Sequence, residues 1–423
     1  METALFGALQ MLADPQLWLV VSLASLYGLF VGAVPGLTAT MATALLVPVT
    51  FFMPPVMAIA AIVSASAMAI FSGDIPGCLL RMPGTPASAA YTDESYRMML
   101  NGQAEQALGA GLLFSVLGGL FGVAVLCLAA PLLAEFALRF STFEYFWLVL
   151  FGLACAVVIA SEDRLKGMAS LLIGLLVAMV GMNNPGGVPR FTFGSIQLTG
   201  GIDMVPLLIG MFAVSEIMRN APTAHEPFVM ATRRIGSIFA GQWALVRRYR
   251  VQLLRGSALG TAIGALPGAG ADIAAWMSYG ISKKFSAEPE KFGTGHVEGI
   301  VESGAANNSA LGAAWIPALV FGIPGDSITA IAIGVLYMKN LNPGPTLFTQ
   351  TPETVYAIFL IFVAANLMML PLGWLCIRVC LSLLRAPRNV LMPLILLACI
   401  VGSFAIENSL FAVGVMVAAA LVA

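Results

Sequence analysis

Gly28-Leu29-Phe30-Val31-Gly32-Ala33-Val34-Pro35-Gly36 is an apolar run ending in a Pro-Gly break, and it returns as Gly260-Thr261-Ala262-Ile263-Gly264-Ala265-Leu266-Pro267-Gly268 later in the 423-residue chain. The glycines and the break recur position for position, so the chain reads as two related halves. Each copy is followed by a second break flanked by small polar residues, Pro83-Gly84-Thr85 and Pro324-Gly325-Asp326-Ser327. A doubled apolar chain with paired helix breaks is the pattern of a transporter.

Hydrophobic residues make up 59% of the chain and charged residues 10%, against about 45–50% and about 25% in soluble domains. That surplus belongs in lipid, and apolar runs of about 20 residues, the length that crosses a hydrocarbon core, recur from Trp18 onward. With helices as the spanning element there is room for about ten. No Lys or Arg precedes Arg81, whereas Arg233, Arg234, Arg247, Arg248, Arg250 and Arg255 crowd one segment and Arg378, Arg385 and Arg388 another. The positive-inside tendency puts both basic segments in the cytoplasm and favours an external N-terminus. That N-terminus lacks a basic n-region and a cleavage pattern, so the first apolar run reads as a retained helix. Cys78, Cys127, Cys155, Cys376, Cys380 and Cys399 form no CxxC pair and read as small buried hydrophobes. Two histidines, His225 and His296, leave few parts for a zinc site or a catalytic triad.

Residues 17–34 read as a helix running into Pro35-Gly36, residues 38–53 as its resumption, and 55–72 as another helix. Between Ser72 and Ala90 lie Gly73, Pro76, Gly77, Pro83, Gly84 and Pro86, a density of breakers that predicts no continuous helix. The interspersed Ile75, Cys78, Leu79, Leu80 and Met82 favour a re-entrant hairpin over a solvent loop; broken backbone at membrane depth must be satisfied by protein or a water-filled cavity. Tyr91 to Glu105 reads as a solvated connection. Residues 106–133 form a long helix whose Gly109, Gly111, Gly118, Gly119 and Gly122 permit close packing. Runs at 145–160, 168–182 and 204–218 are scaffold helices, separated by Glu162-Asp163-Arg164 and by Asn183-Asn184-Pro185-Gly186-Gly187. Residues 220–255 mix arginines with Trp243, Tyr249 and aliphatic residues, which suits an amphipathic segment on the cytoplasmic face rather than a nucleic-acid surface.

Chemistry concentrates at the breaks. A helix interrupted in the membrane exposes amide hydrogens that attract anions and carbonyls that attract cations. Pro35, Gly36, Thr38, Thr40, Gly84, Thr85 and Ser88 mark the breaks of the first half; Pro267, Gly268, Asp272, Gly325, Asp326, Ser327 and Thr329 mark those of the second. Their meeting place is the expected pocket. Glu298 and Glu302, four apart, read as a helix cap or surface pair, while Asn307 and Asn308 enter the membrane as contacts for a ligand or ion. Arg81 reads two ways, as a clamp on a substrate carboxylate or as a side chain snorkelling to an interface. Asp74, Asp272 and Asp326 likewise read either as cation-coupling groups or as loop caps.

Gly32-Ala33-Val34-Pro35-Gly36-Leu37, Met82-Pro83-Gly84-Thr85-Pro86, Glu290-Lys291-Phe292-Gly293 through Val297-Glu298-Gly299 to Ala305-Ala306-Asn307-Asn308, Ile316-Pro317 and Gly322-Ile323-Pro324-Gly325 form an ordered series. In it the chain resembles the large membrane subunit of the tripartite tricarboxylate transporters, the TctA family, over nearly its whole length. The resemblance implies a bacterial inner-membrane protein that works with a periplasmic solute-binding protein and a small four-helix membrane subunit. It implies uptake of a carboxylate driven by an ion gradient, typically Na+, with H+ as the alternative, and no other cofactor. The chain shows no phosphate loop that would argue for an ATPase. Relatives usually carry an Asn-aliphatic pair where Arg81-Met82 stands, and Asp-Gly where Asp93-Glu94 stands, which implies a shifted substrate or ion preference. Relatives also continue past the apolar segment in which Ala423 lies, so the chain is expected to be a shortened form.

The resulting expectation is an all-α polytopic membrane protein with two internal repeats of inverted topology, Pro-Gly-broken helices and re-entrant hairpins. Its parts are 1–140, first repeat; 141–219, scaffold helices; 220–255, basic cytoplasmic linker; 256–350, second repeat; and 351–423, closing helices. It is expected to be a transporter rather than an enzyme. An uncoupled channel would conduct down the substrate gradient alone, and an intramembrane protease would need two of the aspartates to converge on one proton.

Overall fold

The computed structural model describes residues 2–34, 37–160, 164–182, 188–220, 237–383 and 388–423. Among them there is no strand, only an isolated bridge between Gly181 and Arg190. The helices, in order, are α1 (Glu2–Leu12), α2 (Pro15–Ala33), α3 (Ala39–Thr50), α4 (Pro55–Ser72), α5 (Asp74–Leu80), α6 (Ala89–Leu100) and α7 (Ala104–Ala137). There follow α8 (Thr142–Ala160), α9 (Arg164–Ala178), α10 (Ile196–Thr199), α11 (Met204–Leu208), which runs on as a π-helical segment Ile209–Val214, and α12 (Ser215–Asn220). The second half has α13 (Gln242–Arg248), α14 (Arg250–Gly264), α15 (Gly270–Phe285), α16 (Val297–Phe321) and α17 (Ser327–Met338). It closes with α18 (Leu347–Gln350), α19 (Pro352–Leu383), α20 (Arg388–Glu407) and α21 (Leu410–Val422).

Four described helical stretches are long and apolar enough to cross a membrane: Pro15–Ala33, Pro55–Leu80, Ala104–Ala137 and Pro352–Val379. Six further apolar helices are shorter, among them Ala39–Thr50 and Ser327–Met338. These ten apolar helices among the described residues compare with the expected room for about ten, six of them being shorter than a full crossing. Several apolar segments are half-length pieces that begin at a break.

Glycine contacts set the packing of α2 on α4 and of α14 on α16. A Cβ at Gly28 or Gly32 would collide with the backbone of Ala65 or Ala69, and one at Gly260 or Gly264 with that of Ala306 or Ala310. Both pairs advance together along the two helices, so each pair of helices runs parallel. α7 rides on α16 in the same way, Gly118 against Ala305 and Gly122 against Ser309, while Gly119 meets the Asn366 amide on α19. Removing the side chain lets backbones approach and widens dispersion contact, which is what holds helices together once lipid replaces water. The packing role read for these three glycines is what the structure shows. Gly111 differs, since a Cβ there would meet only Asp74 Oδ2, at 3.9 Å.

Two local expectations fail. The chain between Ser72 and Ala90 is not breaker-dominated throughout, because α4 passes through Gly73, in helical conformation, into α5 as far as Leu80. Pro76 is tolerated because it falls in the first turn of α5, where its missing N–H has no intrahelical partner to lose. The reversal comes at Arg81, which adopts the left-handed conformation (φ 58°). Its N–H caps Gly77 O while the Met82 N–H returns to Pro76 O. Tyr91 to Glu105 is not a solvated connection either. It contains α6, whose Tyr91, Thr92, Glu94, Ser95, Met98 and Met99 are buried.

In the basic segment, residues 221–236, with Arg233 and Arg234, lie outside the described residues, as do residues 161–163, 183–187 and 384–387. The described part docks on α7: Gln242 Nε2 donates to Gln106 O (3.2 Å), Ile238 and Tyr249 are buried, and Trp243 stays exposed with Arg247 over its ring.

Candidate functional site

The second breaks share one local design. Thr85 and Ser88 exchange bonds reciprocally, Thr85 N–H donating to Ser88 Oγ (3.2 Å) and Ser88 N–H to Thr85 Oγ1 (3.1 Å). Asp326 and Thr329 do the same at the start of α17, Thr329 N–H to Asp326 Oδ1 (2.8 Å) and Asp326 N–H to Thr329 Oγ1 (2.9 Å). This is a capping box. At Asp326 it satisfies two otherwise orphaned amides at the start of α17, whereas the Thr85–Ser88 exchange closes the turn ahead of α6, whose own N-cap Ser88 makes no side-chain cap bond. The preceding glycines explain the tight reversals. Gly84 lies against the backbone of Gly73 and Gly32, and Gly325 against Ala314, where a Cβ would clash.

The breaks of one half meet those of the other. Thr40 Oγ1, just after the first break, is 2.8 Å from Ser327 Oγ at the fourth. Asp272 Oδ1, just after the third break, accepts from Ala87 N–H at the second, at 3.0 Å. Between these crossings lies a cavity of about 40 Å3 lined by Thr38, Thr40, Thr85, Asp272, Asn307, Asp326 and Ser327, with Ala39, Ile70, Pro86, Ala87, Ala271 and Ile328. It has room for a few waters or an ion. It is far smaller than the roughly 300 Å3 or more of ordinary small-molecule pockets. Among the described residues no Lys, Arg or His lines it. The polar groups are hydroxyls, two carboxylates, one carboxamide and backbone.

The structure thus gathers seven of the residues singled out from sequence and disperses the others. Pro35 and Gly36 lie outside the described residues. Pro267 and Gly268 form the partly exposed turn between α14 and α15 without lining the cavity. Gly84, Gly325 and Thr329 shape the reversals. Asn308 is buried, but its Nδ2 donates to Gly304 O on its own helix (3.1 Å). Arg81 stands outside the cavity lining, exposed and paired with Asp93 (2.8 Å). Asp74 is away from the lining as well, buried where α5 meets α6, with Tyr91 Oη–H donating to its Oδ1 (2.7 Å).

Two corrections concern glutamates. Glu298 and Glu302 are buried rather than surface groups. Arg255 grips Glu302 through Nε and Nη2, both at 2.6 Å, while Glu298 accepts from Gln252 (3.0 Å) and Ser286 (2.6 Å). Glu94 was read as solvated and is fully buried. Its carboxylate accepts from Tyr279 Oη–H (2.7 Å), from Gly295 N–H (2.9 Å), from His296 N–H (2.8 Å) and from Gly293 N–H. The signal that could have found it is Gly293-Thr294-Gly295, whose glycines take φ of 85° and 102° and turn successive amides inward.

Apolar spans, interrupted helices and a polar cavity where the interruptions cross define a membrane transport protein. The profile of the tripartite tricarboxylate transporter TctA family matches residues 18–423. The chain belongs to that family, and so is a tripartite tricarboxylate transporter membrane subunit. Among curated relatives, it is similar to an uncharacterized 52.8 kDa protein of the TAR-I ttuC' 3' region of Agrobacterium vitis, 32% identical over 396 residues, covering 94% of this chain and 78% of the relative. A second, from the TAR-II ttuC' 3' region of the same organism, is 32% identical over 152 residues, covering 36% of this chain and 63% of the relative. No solved structure matches.

Proposed function

We propose that this chain imports a small di- or tricarboxylate by cation-coupled alternating access, receiving it from a periplasmic binding protein in the bacterial inner membrane, together with a small membrane subunit. The observation that carries this reading is the double crossing, Thr40 with Ser327 and Ala87 with Asp272. Both contacts join one half to the other across the cavity, so a relative movement of the halves opens the cavity and breaks them.

The electrostatics support coupling to Na+ or H+. Asp272 and Asp326 line a cavity with no cationic side chain among the described residues, so a carboxylate substrate entering alone would add like charge to like. Cations that enter with it reverse that balance, and they give substrate binding the differential between states that a transport cycle needs. The matched glycine contacts, α2 on α4 and α14 on α16, support two repeats, and we take their topology to be inverted. Asp272 and Asp326 both line this cavity, Asp272 accepting from Ala87 and Asp326 from Thr329, and membership of a transporter family favours their use in transport over a protease dyad.

The test is uptake of labelled di- and tricarboxylates by proteoliposomes holding this chain, its small subunit and its binding protein. Accumulation above equilibrium under an inward Na+ or H+ gradient is the expected result. Equilibration without accumulation would make the protein a channel, and absence of flux for every carboxylate would remove the reading.

A further inference from the structure

One polar group beside the cavity has no use in the reading above. Asp74 is buried between α5, α6 and α7; Tyr91 serves its Oδ1, and its Oδ2 has no hydrogen-bond partner. Among the described residues no Lys, Arg or His pairs with it. Asn307, fully buried on α16, donates through Nδ2 to the same Tyr91 oxygen (3.3 Å), and its own Oδ1 is also unpartnered. One phenol therefore ties together a carboxylate and a carboxamide, each left with a bare, buried acceptor.

A buried ionised carboxylate without a counter-charge is strongly disfavoured, and each unpaired acceptor adds to the penalty. On the α7 side Asp74 Oδ2 faces Gly111, which has no side chain to cover it. A methyl group at Gly111 would sit 3.9 Å from that oxygen and touch nothing else within 4 Å. Oxygen-only donors with one negative charge suit a hard monovalent cation or a proton. No group of three or more His, Cys, Asp and Glu side chains exists among the described residues to favour a transition metal.

We infer that Asp74, Tyr91 and Asn307 form a second site beside the substrate cavity, one that takes a single monovalent positive charge, Na+ or H+. Asn307 belongs to both sites, since it also lines the cavity, and its amide reports the occupancy of one to the other. That link to transport rests on the proposed function; the binding itself does not.

The experiment uses the whole purified chain in detergent, without carboxylate, binding protein or small subunit, so failure of the transport reading leaves it intact. Equilibrium binding of 22Na+ is measured for the native chain, Asp74→Asn and Tyr91→Phe, each checked for a monodisperse elution profile. If the ion is Na+, binding is saturable, lost in Asp74→Asn and weakened about 10-fold or more in Tyr91→Phe, the effect of removing a charge-assisted hydrogen bond. If it is H+, Na+ does not saturate, and the native chain at neutral pH shows the infrared carbonyl band of a protonated carboxyl, absent from Asp74→Asn and shifted in Tyr91→Phe. Should Asp74→Asn fail to fold, Tyr91→Phe decides alone, because it keeps the buried ring. Saturable Na+ binding unchanged in the variants, or a native chain with neither signal, overturns the inference.

Discussion

Replacing Glu94 by glutamine should loosen one loop by a calculable amount. The carboxylate holds four donors: Tyr279 Oη–H and Gly293 N–H on Oε1, Gly295 and His296 N–H on Oε2. Glutamine does best by keeping its oxygen toward Gly295 and His296 and turning its amino group toward Tyr279, whose hydroxyl can switch to accepting. Gly293 N–H then faces another donor and is lost, and the two retained bonds lose their charge assistance. With charged hydrogen bonds contributing about 1.5–3 kcal/mol and neutral ones about 1 kcal/mol, replacing four of the first by three of the second costs, at the low end of that range, about 3 kcal/mol. That corresponds to a factor of about 100 in the opening equilibrium. Hydrogen-deuterium exchange should therefore show the amides of residues 293–296 exchanging about 100-fold faster in Glu94→Gln, with α7 and α19 unchanged. Native exchange rates at those amides in the variant would refute the assignment of Glu94 as their anchor.

Glu302→Gln, which leaves Arg255 without its charge partner, is expected to cost about 3 kcal/mol, the low end for a broken buried pair because Arg255 keeps 26% of its side chain exposed. The double replacement Arg255→Met with Glu302→Met should recover most of that loss in a thermal-unfolding assay, and a double variant no better than the single would contradict the account. Gly118→Ala is expected to destabilise by about 1–3 kcal/mol, since its methyl group meets the Ala305 backbone. Gly280→Ala on the exposed face of α15, with nothing within 4 Å, should instead gain up to about 1 kcal/mol from helix propensity; equal effects from the two would refute the packing argument.

The sequence revealed whatever packing writes into side-chain identity. Gly28, Gly32, Gly260 and Gly264 were legible because only glycine permits the approach to Ala65, Ala69, Ala306 and Ala310. The cavity was half legible: Thr40, Asp272 and Ser327 stand beside breaks, but Ala87 contributes through its backbone N–H, which no side chain advertises. α6 was misread because Asp93 and Arg97 are exposed while Glu94, between them in sequence, turns inward to amides some two hundred positions away. Polar residues on a short helix carry no mark of which face is wet. Asp326 was readable as a cap from its Asp-x-x-Thr spacing, a pattern that local geometry alone enforces.

The halves are also fastened at the two extremities of α16, and the fastenings are unequal. Near its first turn, buried Glu94 holds four donors. Near its last turn, where Gly344 N–H reaches Leu319 O, Lys339 spans to the other half by a single solvent-exposed bond to Phe51 O (2.6 Å). Water can replace the second almost without loss and cannot reach the first. The molecule therefore has a tight end at Glu94 and a loose end at Lys339.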